Sequence, residues 1–306
     1  MYETILRAAE RHGCETVPNA PMSRYTTFRV GGPADLLIEP NGTEALKDLL
    51  QACKADGADP LVIGKGSNLL VPDEGLSGVV LHLGDAFAGL SRNEDGTFHA
   101  EAGASVIKLC RFALEQSLSG LEFAYGIPGT VGGAIYMNAG AYGGEVGDHV
   151  VRVYHMDRDG NEGIWEAEEA GFAYRHSNYM GTDLIVTSVD FALEPGDPET
   201  IRAGMEDFMQ RRRSKQPLEY GSAGSTFKRP EGYFAGALIE QSGLKGVSVG
   251  GAQVSEKHAG FVINKDHATA RDILDLMTLV RETVQKNFGV TLEPEVRILG
   301  GAPWNS

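Results

Sequence analysis

From Phe123 to Gly144 the chain carries no charged residue, seven glycines, Pro128 and a single side-chain amide at Asn138. An uncharged run of this length could cross a bilayer as a helix, but Pro128 and the glycines make a lipid-exposed helix untenable. It reads instead as a buried, glycine-lined loop, with backbone that turns sharply or approaches something closely. The bias extends along the chain, since 40 of 306 residues are glycine, about 13% against an average near 7%. There is no period of three and proline is only 13, so a collagen-like chain is excluded. A hydrophobic fraction of 42% is enough for real cores and argues against disorder.

At roughly 150 residues per domain, 306 residues suggest about two domains. Lys plus Arg is 27 and Asp plus Glu is 42, a formal net charge of −15. That excludes a generic nucleic-acid or anionic-membrane surface, because both need a basic excess. Cys14, Cys53 and Cys110 are widely spaced without a C-x-x-C pair, which fits a reducing compartment better than a disulfide framework or a zinc site. The opening MYETILRAAERHG is charged throughout and shows no signal peptide. A cytoplasmic globular protein is expected.

Helical periodicity is clear in three places. Thr43 is expected to cap a helix carrying Leu46, Leu49, Leu50 and Cys53 and ending near Gly57. A second stripe, Val106, Leu109, Cys110, Ala113 and Leu114, is expected to close at Gly120. Near the C-terminus Thr269 caps a run with Ile273, Leu276, Met277, Val280, Val284 and Phe288, stopped by Gly289. Short apolar runs predict strands at 35–39, 61–64, 79–83, 150–156, 184–193, 260–264 and 296–299. Helices and strands therefore mix without strict βαβ alternation, an α+β pattern. The Pro/Gly turn at 194–198 marks the main boundary and 71–75 a smaller one, giving expected divisions at 1–74, 75–194 and 195–306.

Leu61-Val62-Ile63 runs into Gly64-Lys65-Gly66-Ser67-Asn68. Alternate glycines let successive N–H groups point into one concavity, an anion nest, although an ordinary tight turn is an equal alternative. Leu69 stands where a G-x-G-x-x-G fingerprint needs its third glycine, and no P-loop signature occurs. The second cluster, Gly126-Ile127-Pro128-Gly129-Thr130-Val131-Gly132-Gly133, leads into Asn138-Ala139-Gly140-Ala141-Tyr142-Gly143. Two such loops suit a dinucleotide gripped across its pyrophosphate; tight packing of irregular backbone is the alternative for the second.

With those motifs in order, the chain resembles the FAD domain of the vanillyl-alcohol-oxidase superfamily and, within it, the UDP-N-acetylenolpyruvoylglucosamine reductase family. The likeness runs from Thr26-Thr27-Phe28-Arg29-Val30-Gly31-Gly32 to Glu293-Pro294-Glu295-Val296-Arg297, nearly the whole chain. It implies a two-part FAD-binding domain followed by a smaller C-terminal α+β domain for a UDP-sugar. It implies non-covalent FAD, because neither glycine loop holds a histidine or cysteine, and contacts from Gly64, Lys65, Gly66, Ser67, Asn68, Gly126, Ile127, Gly129, Thr130, Gly132, Gly133, Asn138, Gly140 and Ala141. It implies NADPH as co-substrate, UDP-N-acetylglucosamine enolpyruvate as substrate, and a place in peptidoglycan precursor synthesis.

Three further motifs bear chemistry. Phe172-Ala173-Tyr174-Arg175-His176-Ser177 sets a guanidinium among aromatic rings, either a fork for a carboxylate or a surface arginine stacked on tyrosine. Gly221-Ser222-Ala223-Gly224-Ser225-Thr226-Phe227-Lys228-Arg229 puts a serine in a glycine-rich turn, without the G-x-S-x-G elbow. A hydroxyl is a weak general acid, adequate only toward a strongly basic carbanion. Glu293-Pro294-Glu295-Val296-Arg297 reads by itself as a solvated turn. The resemblance assigns catalytic roles to Arg175, Ser225 as proton donor and Glu295, and a substrate site to Tyr142, Lys215, Lys228, Arg229 and Arg297.

Arg229 departs from the asparagine many relatives carry, and the tyrosine-bearing insertion of the longer family type is missing, so the substrate must be capped differently. The run Arg211-Arg212-Arg213-Ser214-Lys215 is expected to end a helix, where cations complement the dipole. His258 is expected in the substrate domain, with a capping or packing role equally open. No histidine spacing suggests a metal. An FAD-dependent oxidase of the same superfamily is the alternative activity.

Overall fold

The computed structural model describes residues 2–300. They form two compact units, each assembled from non-adjacent segments: 2–18, 36–65 and 78–210 in the first, 19–35, 66–77 and 211–300 in the second.

In the first unit, helices Glu3–Arg11 and Thr43–Ala55 pack on each other. Residues 15–18, 36–39, 61–63 and 78–82 of this unit belong to a four-stranded sheet in the order Glu15–Pro21, Pro33–Glu39, Leu76–His82, Leu61–Ile63, with Leu61 opposite Val80 in a parallel pair. A five-stranded antiparallel sheet follows, ordered Glu162–Glu166, Val150–Met156, Ile185–Phe191, Phe98–Glu101, Leu90–Arg92. Ile5, Leu46, Leu81, Phe98, Val153 and Phe191 all belong to one continuous apolar cluster. The sheets and helices of this unit therefore share a core, which holds the ends of the glycine loops in fixed positions.

In the second unit a small sheet, Ser248–Val249, Ala252–Val254 and Val262–Asn264, is covered by helix Ala270–Phe288. That helix forms where the sequence predicts. Thr269 Oγ1 accepts from Asp272 N–H and Asp272 Oδ2 accepts from Thr269 N–H, each at 3.0 Å, a reciprocal capping box. Gly289 ends it with φ +70°. Ile273, Leu276, Met277, Val280 and Val284 are all buried on one face, each contributing roughly 1.5–3 kcal/mol relative to exposure.

Three local expectations are corrected. The helix at 43–55 is capped by Gly42, with no side-chain cap, so Thr43 is its first residue. The helix from Val106 stops at Glu115, well before Gly120, and Ser117 takes φ +57°. The uncharged stretch is not loop throughout: Val131–Tyr136 is helical, with Thr130 Oγ1 accepting from Gly133 N–H at 3.5 Å. Among the described residues no helix is long and apolar enough to cross a membrane.

Candidate active site

The first glycine loop leaves the Leu61–Ile63 strand at Gly64, and the second comes to meet it. A Cβ on Gly64 would overlap Thr130 Oγ1, so only glycine lets the two loops touch. Gly66 has φ +55°, and a Cβ there would overlap the Tyr25 carbonyl. Its own carbonyl accepts from Leu69 N–H at 3.4 Å, closing a tight turn.

The second loop is tied to the strand beside it. Val131 N–H donates to Ala104 O and Gly132 N–H to Ala102 O, both at 2.8 Å, while Val106 N–H donates to Gly129 O at 3.1 Å. The first amides of the short helix are therefore already spent on the protein. Asn138, expected to contact a cofactor, is 1% exposed. Its Nδ2 donates to Glu145 Oε2 at 2.7 Å and to Ala173 O at 2.9 Å, and its Oδ1 accepts from Gly147 N–H at 2.9 Å. Its side chain is a brace for the loop, with no atom left facing outward.

That brace holds the arginine turn. Ala173 and His176 exchange both backbone hydrogen bonds at 3.0–3.1 Å, leaving Tyr174 and Arg175 at the tip. Arg175 has φ +51° and stacks 5.1 Å above the Tyr174 ring. Its Nη2 donates to Gly140 O at 2.9 Å. The stacking on Tyr174 and the Gly140 contact together orient the guanidinium. Gly140–Ala141 and Gly144–Glu145 pair as a hairpin whose tip is Tyr142-Gly143, with φ +55° and +94°. Two left-handed residues in succession give the twist a two-residue hairpin needs, and Tyr142 stacks on Phe208 at 5.0 Å.

In the second unit the serine and glutamate motifs lie on paired backbone. Glu295 N–H donates to Thr226 O at 2.9 Å, Lys228 N–H donates to Glu293 O at 2.9 Å, and Phe227 bridges Pro294. Thr226 and Phe227 are buried while Ser225, after Gly224 at φ +74°, is exposed. Arg297 N–H donates to Asn68 O at 2.9 Å, and Asn68 Nδ2 donates to Glu295 O at 3.1 Å. Ser225, Glu295, Lys228 and Arg297 are thereby gathered with the end of the first glycine loop. Arg175 belongs to the other unit.

Sequence reasoning gave no role to Thr27. Its Oγ1 donates to Ser222 O at 2.7 Å, and Ser222 N–H returns to Thr27 O at 3.1 Å. The T-T-F-R motif therefore supports the serine turn, a pairing across nearly two hundred residues that no local signal announces. Lys215 is the exposed last residue of helix Pro198–Lys215, as expected. His258 Nδ1 accepts from Gly260 N–H at 3.1 Å and its ring meets Phe261 edge-on. Burial pushes its pKa below the ordinary histidine value, and nearby Lys245 and Lys215 add to this. A neutral packing residue results.

Residues 216–299 match the family described as UDP-N-acetylenolpyruvoylglucosamine reductase, C-terminal domain, and residues 34–162 match the FAD binding domain family. A protein named UDP-N-acetylenolpyruvoylglucosamine reductase from Syntrophomonas wolfei is 46% identical over 92% of this chain and 94% of its own length. The chain belongs to the UDP-N-acetylenolpyruvoylglucosamine reductase family. The protein of that name from Clostridioides difficile is 49% identical over 92% of both chains. The crystal structure of the enzyme from Thermus caldophilus matches with a TM-score of 0.79 and 38% identity, covering 94% of this chain and 99% of that one.

Membership of the reductase family carries an FAD-binding domain and an FAD-dependent oxidoreductase activity, and it displaces the oxidase alternative. The first loop fits the cofactor's pyrophosphate. Among the described residues no protein acceptor is bonded to the N–H groups of Lys65, Gly66 and Ser67, and residues 61–71 hold no carboxylate. Consecutive unspent amides around a left-handed glycine form a nest for an anion.

Proposed function

We infer that the chain is a reductase that uses NADPH and bound FAD to convert UDP-N-acetylglucosamine enolpyruvate into UDP-N-acetylmuramate, a cytoplasmic step in peptidoglycan precursor synthesis. When bound, FAD relays hydride from NADPH to the methylene carbon of the enolpyruvyl ether. The chain's own residues handle the charge that this creates. Negative charge develops on the neighbouring carbon and spreads into the carboxylate. Arg175, with its guanidinium oriented by Tyr174 and Gly140, is the fork for that carboxylate. Glu295 acts with it on the enol-like species, either protonated or through the arginine. Ser225 donates its hydroxyl proton to the carbanionic carbon, completing addition of H⁻ and H⁺ across the double bond.

The observation that carries the assignment is the Thr226 carbonyl's hold on Glu295 N–H at 2.9 Å. It holds the residue after the proton donor against the glutamate's own backbone, which supports a reading in which the two groups act on one carbon and its carboxylate. In the same reading Lys65, Gly66, Ser67 and the 126–133 loop hold FAD, residues 1–74 and 75–194 form the two parts of its domain, and 195–306 receive the UDP-sugar with Lys215, Lys228, Arg229 and Arg297. Tyr142 completes the substrate site.

The test is anaerobic. The purified protein should be yellow, bleach with NADPH, and recolour on adding UDP-N-acetylglucosamine enolpyruvate. Failure to bleach overturns the reductase reading, and rapid recolouring by air alone returns the oxidase.

A further inference from the structure

Tyr142 occupies a position to which tyrosine is poorly suited. It is the first tip residue of the hairpin at 140–145, with φ +55° ahead of Gly143 at φ +94°. A two-residue turn of this kind usually takes Asn, Asp or Gly first, because a bulkier L-residue is strained in left-handed backbone. Among the described residues seven non-glycine residues have positive φ. Three of them, Asn138, Tyr142 and Arg175, belong to this hairpin or bond to it. Strained backbone persists only where the surrounding structure over-determines it, so something must hold the hairpin.

Its base is held from within the loop. Val146 is buried and donates its N–H to Ala139 O at 3.0 Å, while Asn138 holds the Glu145 carboxylate. At the tip, the Tyr142 ring lies on Phe208, with centroids 5.0 Å apart and planes 25° from parallel. Phe208 is itself fixed. It follows Ile201 and Met205 at helical spacing on helix Pro198–Lys215; those two are buried in the core of the unit, and Phe208 packs against it. Between base and tip sits Gly140, paired with Glu145, and its carbonyl accepts from Arg175 Nη2 at 2.9 Å. A tip relaxed to right-handed backbone would splay the two strands and turn that carbonyl away from the guanidinium.

We propose that Phe208 is a positioning residue for Arg175: its ring holds Tyr142 in left-handed backbone, and the hairpin so held presents the Gly140 carbonyl that aims the guanidinium. Phe208 acts through Tyr142 and Gly140 and not on the reacting atoms. This rests on the reductase reading, because that reading gives Arg175 the charge that develops on the substrate's carboxylate. Loss of the Phe208 ring therefore leaves the arginine in place but lets its guanidinium wander, which weakens the step that makes the charge.

The experiment follows the flavin-loaded enzyme through both half-reactions by anaerobic stopped flow. F208A should bleach with NADPH at the wild-type rate. Its limiting rate of recolouring with UDP-N-acetylglucosamine enolpyruvate should fall about tenfold, the upper range for a lost aromatic pair, with the half-saturating concentration unchanged. F208L keeps the apolar volume without the ring and should match F208A, so it decides the matter if F208A does not fold. F208W should recover most of the rate. In an R175K background the F208A loss should vanish, because residues acting through one group are not additive. Wild-type recolouring by F208L overturns the proposal, since the ring would then be dispensable. So does a raised half-saturating concentration at an unchanged limiting rate, or a loss that persists undiminished in R175K. Failure of the reductase reading is seen separately, as wild-type enzyme that does not bleach with NADPH or does not recolour with the enolpyruvyl substrate.

Discussion

Asn68 Nδ2 donates to the carbonyl of Glu295 at 3.1 Å, and the Asn68 carbonyl accepts from Arg297 N–H at 2.9 Å. One residue at the end of the first glycine loop thus holds the E-P-E-V-R turn from both sides. The first glycine loop and the E-P-E-V-R turn therefore share one attachment. Asn68→Ala should slow the substrate-dependent recolouring of reduced enzyme several-fold and lower stability by about 1 kcal/mol, the net worth of one side-chain hydrogen bond. Stopped-flow absorbance and urea unfolding read the two effects. Unchanged recolouring would detach Asn68 from the placement of Glu295.

Ser225 is exposed between Gly224 and buried Thr226, so its removal leaves no cavity. Ser225→Ala should bleach with NADPH at the wild-type rate but recolour with the enolpyruvyl substrate at least a hundredfold more slowly, the usual range for a lost general acid. Wild-type rates in both half-reactions would show that the proton comes from elsewhere.

Gly66→Ala places a methyl group on the Tyr25 carbonyl in a left-handed conformation. Left-handed backbone costs an L-residue about 1–2 kcal/mol, and overpacking adds typically 1–3 kcal/mol. The variant should purify with much less flavin, seen as a reduced ratio of visible to ultraviolet absorbance. Full flavin content would mean that this turn does not shape the cofactor site.

Asp272 accepts backbone N–H bonds from Thr269 at 3.0 Å and Gly251 at 3.2 Å, and these hold its carboxyl below the usual carboxylate range. A lowered folded-state pKa means that the stabilisation is complete above the unfolded value near 3.8 and is lost as pH falls through the folded value. Asp272→Ala should therefore cost about 1 kcal/mol at pH 7, with the gap to wild type closing below pH 4. A gap independent of pH would show that packing, and not the charge, is what the substitution removes.

Legibility varied with the range of the interactions involved. The strand Val150–Met156 and the helix between Thr269 and Gly289 were readable because period, cap and stop all lie within a few residues. The helix Val131–Tyr136 was hidden by Gly132 and Gly133, which are poor helix formers, and it stands because Thr130 and the carbonyls of Ala102 and Ala104 take up its first amides. The glycine loops were conspicuous as composition, yet the contact of Gly64 with Thr130 joins residues far apart in the chain. Asn138 is named as a cofactor contact only by the resemblance, and its buried side-chain bonds to Glu145, Ala173 and Gly147 have no local signal in the sequence. The pairings of Thr27 with Ser222 and Asn68 with Glu295 span about two hundred residues, and no periodicity encodes them.

The second unit's segments, 19–35, 66–77 and 211–300, are made at opposite ends of translation. Its first portion leaves the ribosome long before the helix and sheet it packs with exist, so Phe28, Val30 and Leu70 wait exposed while the intervening unit folds. Domains otherwise tend to fold in order of synthesis. Here the last hundred residues complete a core begun near the start, and a fragment beginning at residue 216 would lack part of its own interior.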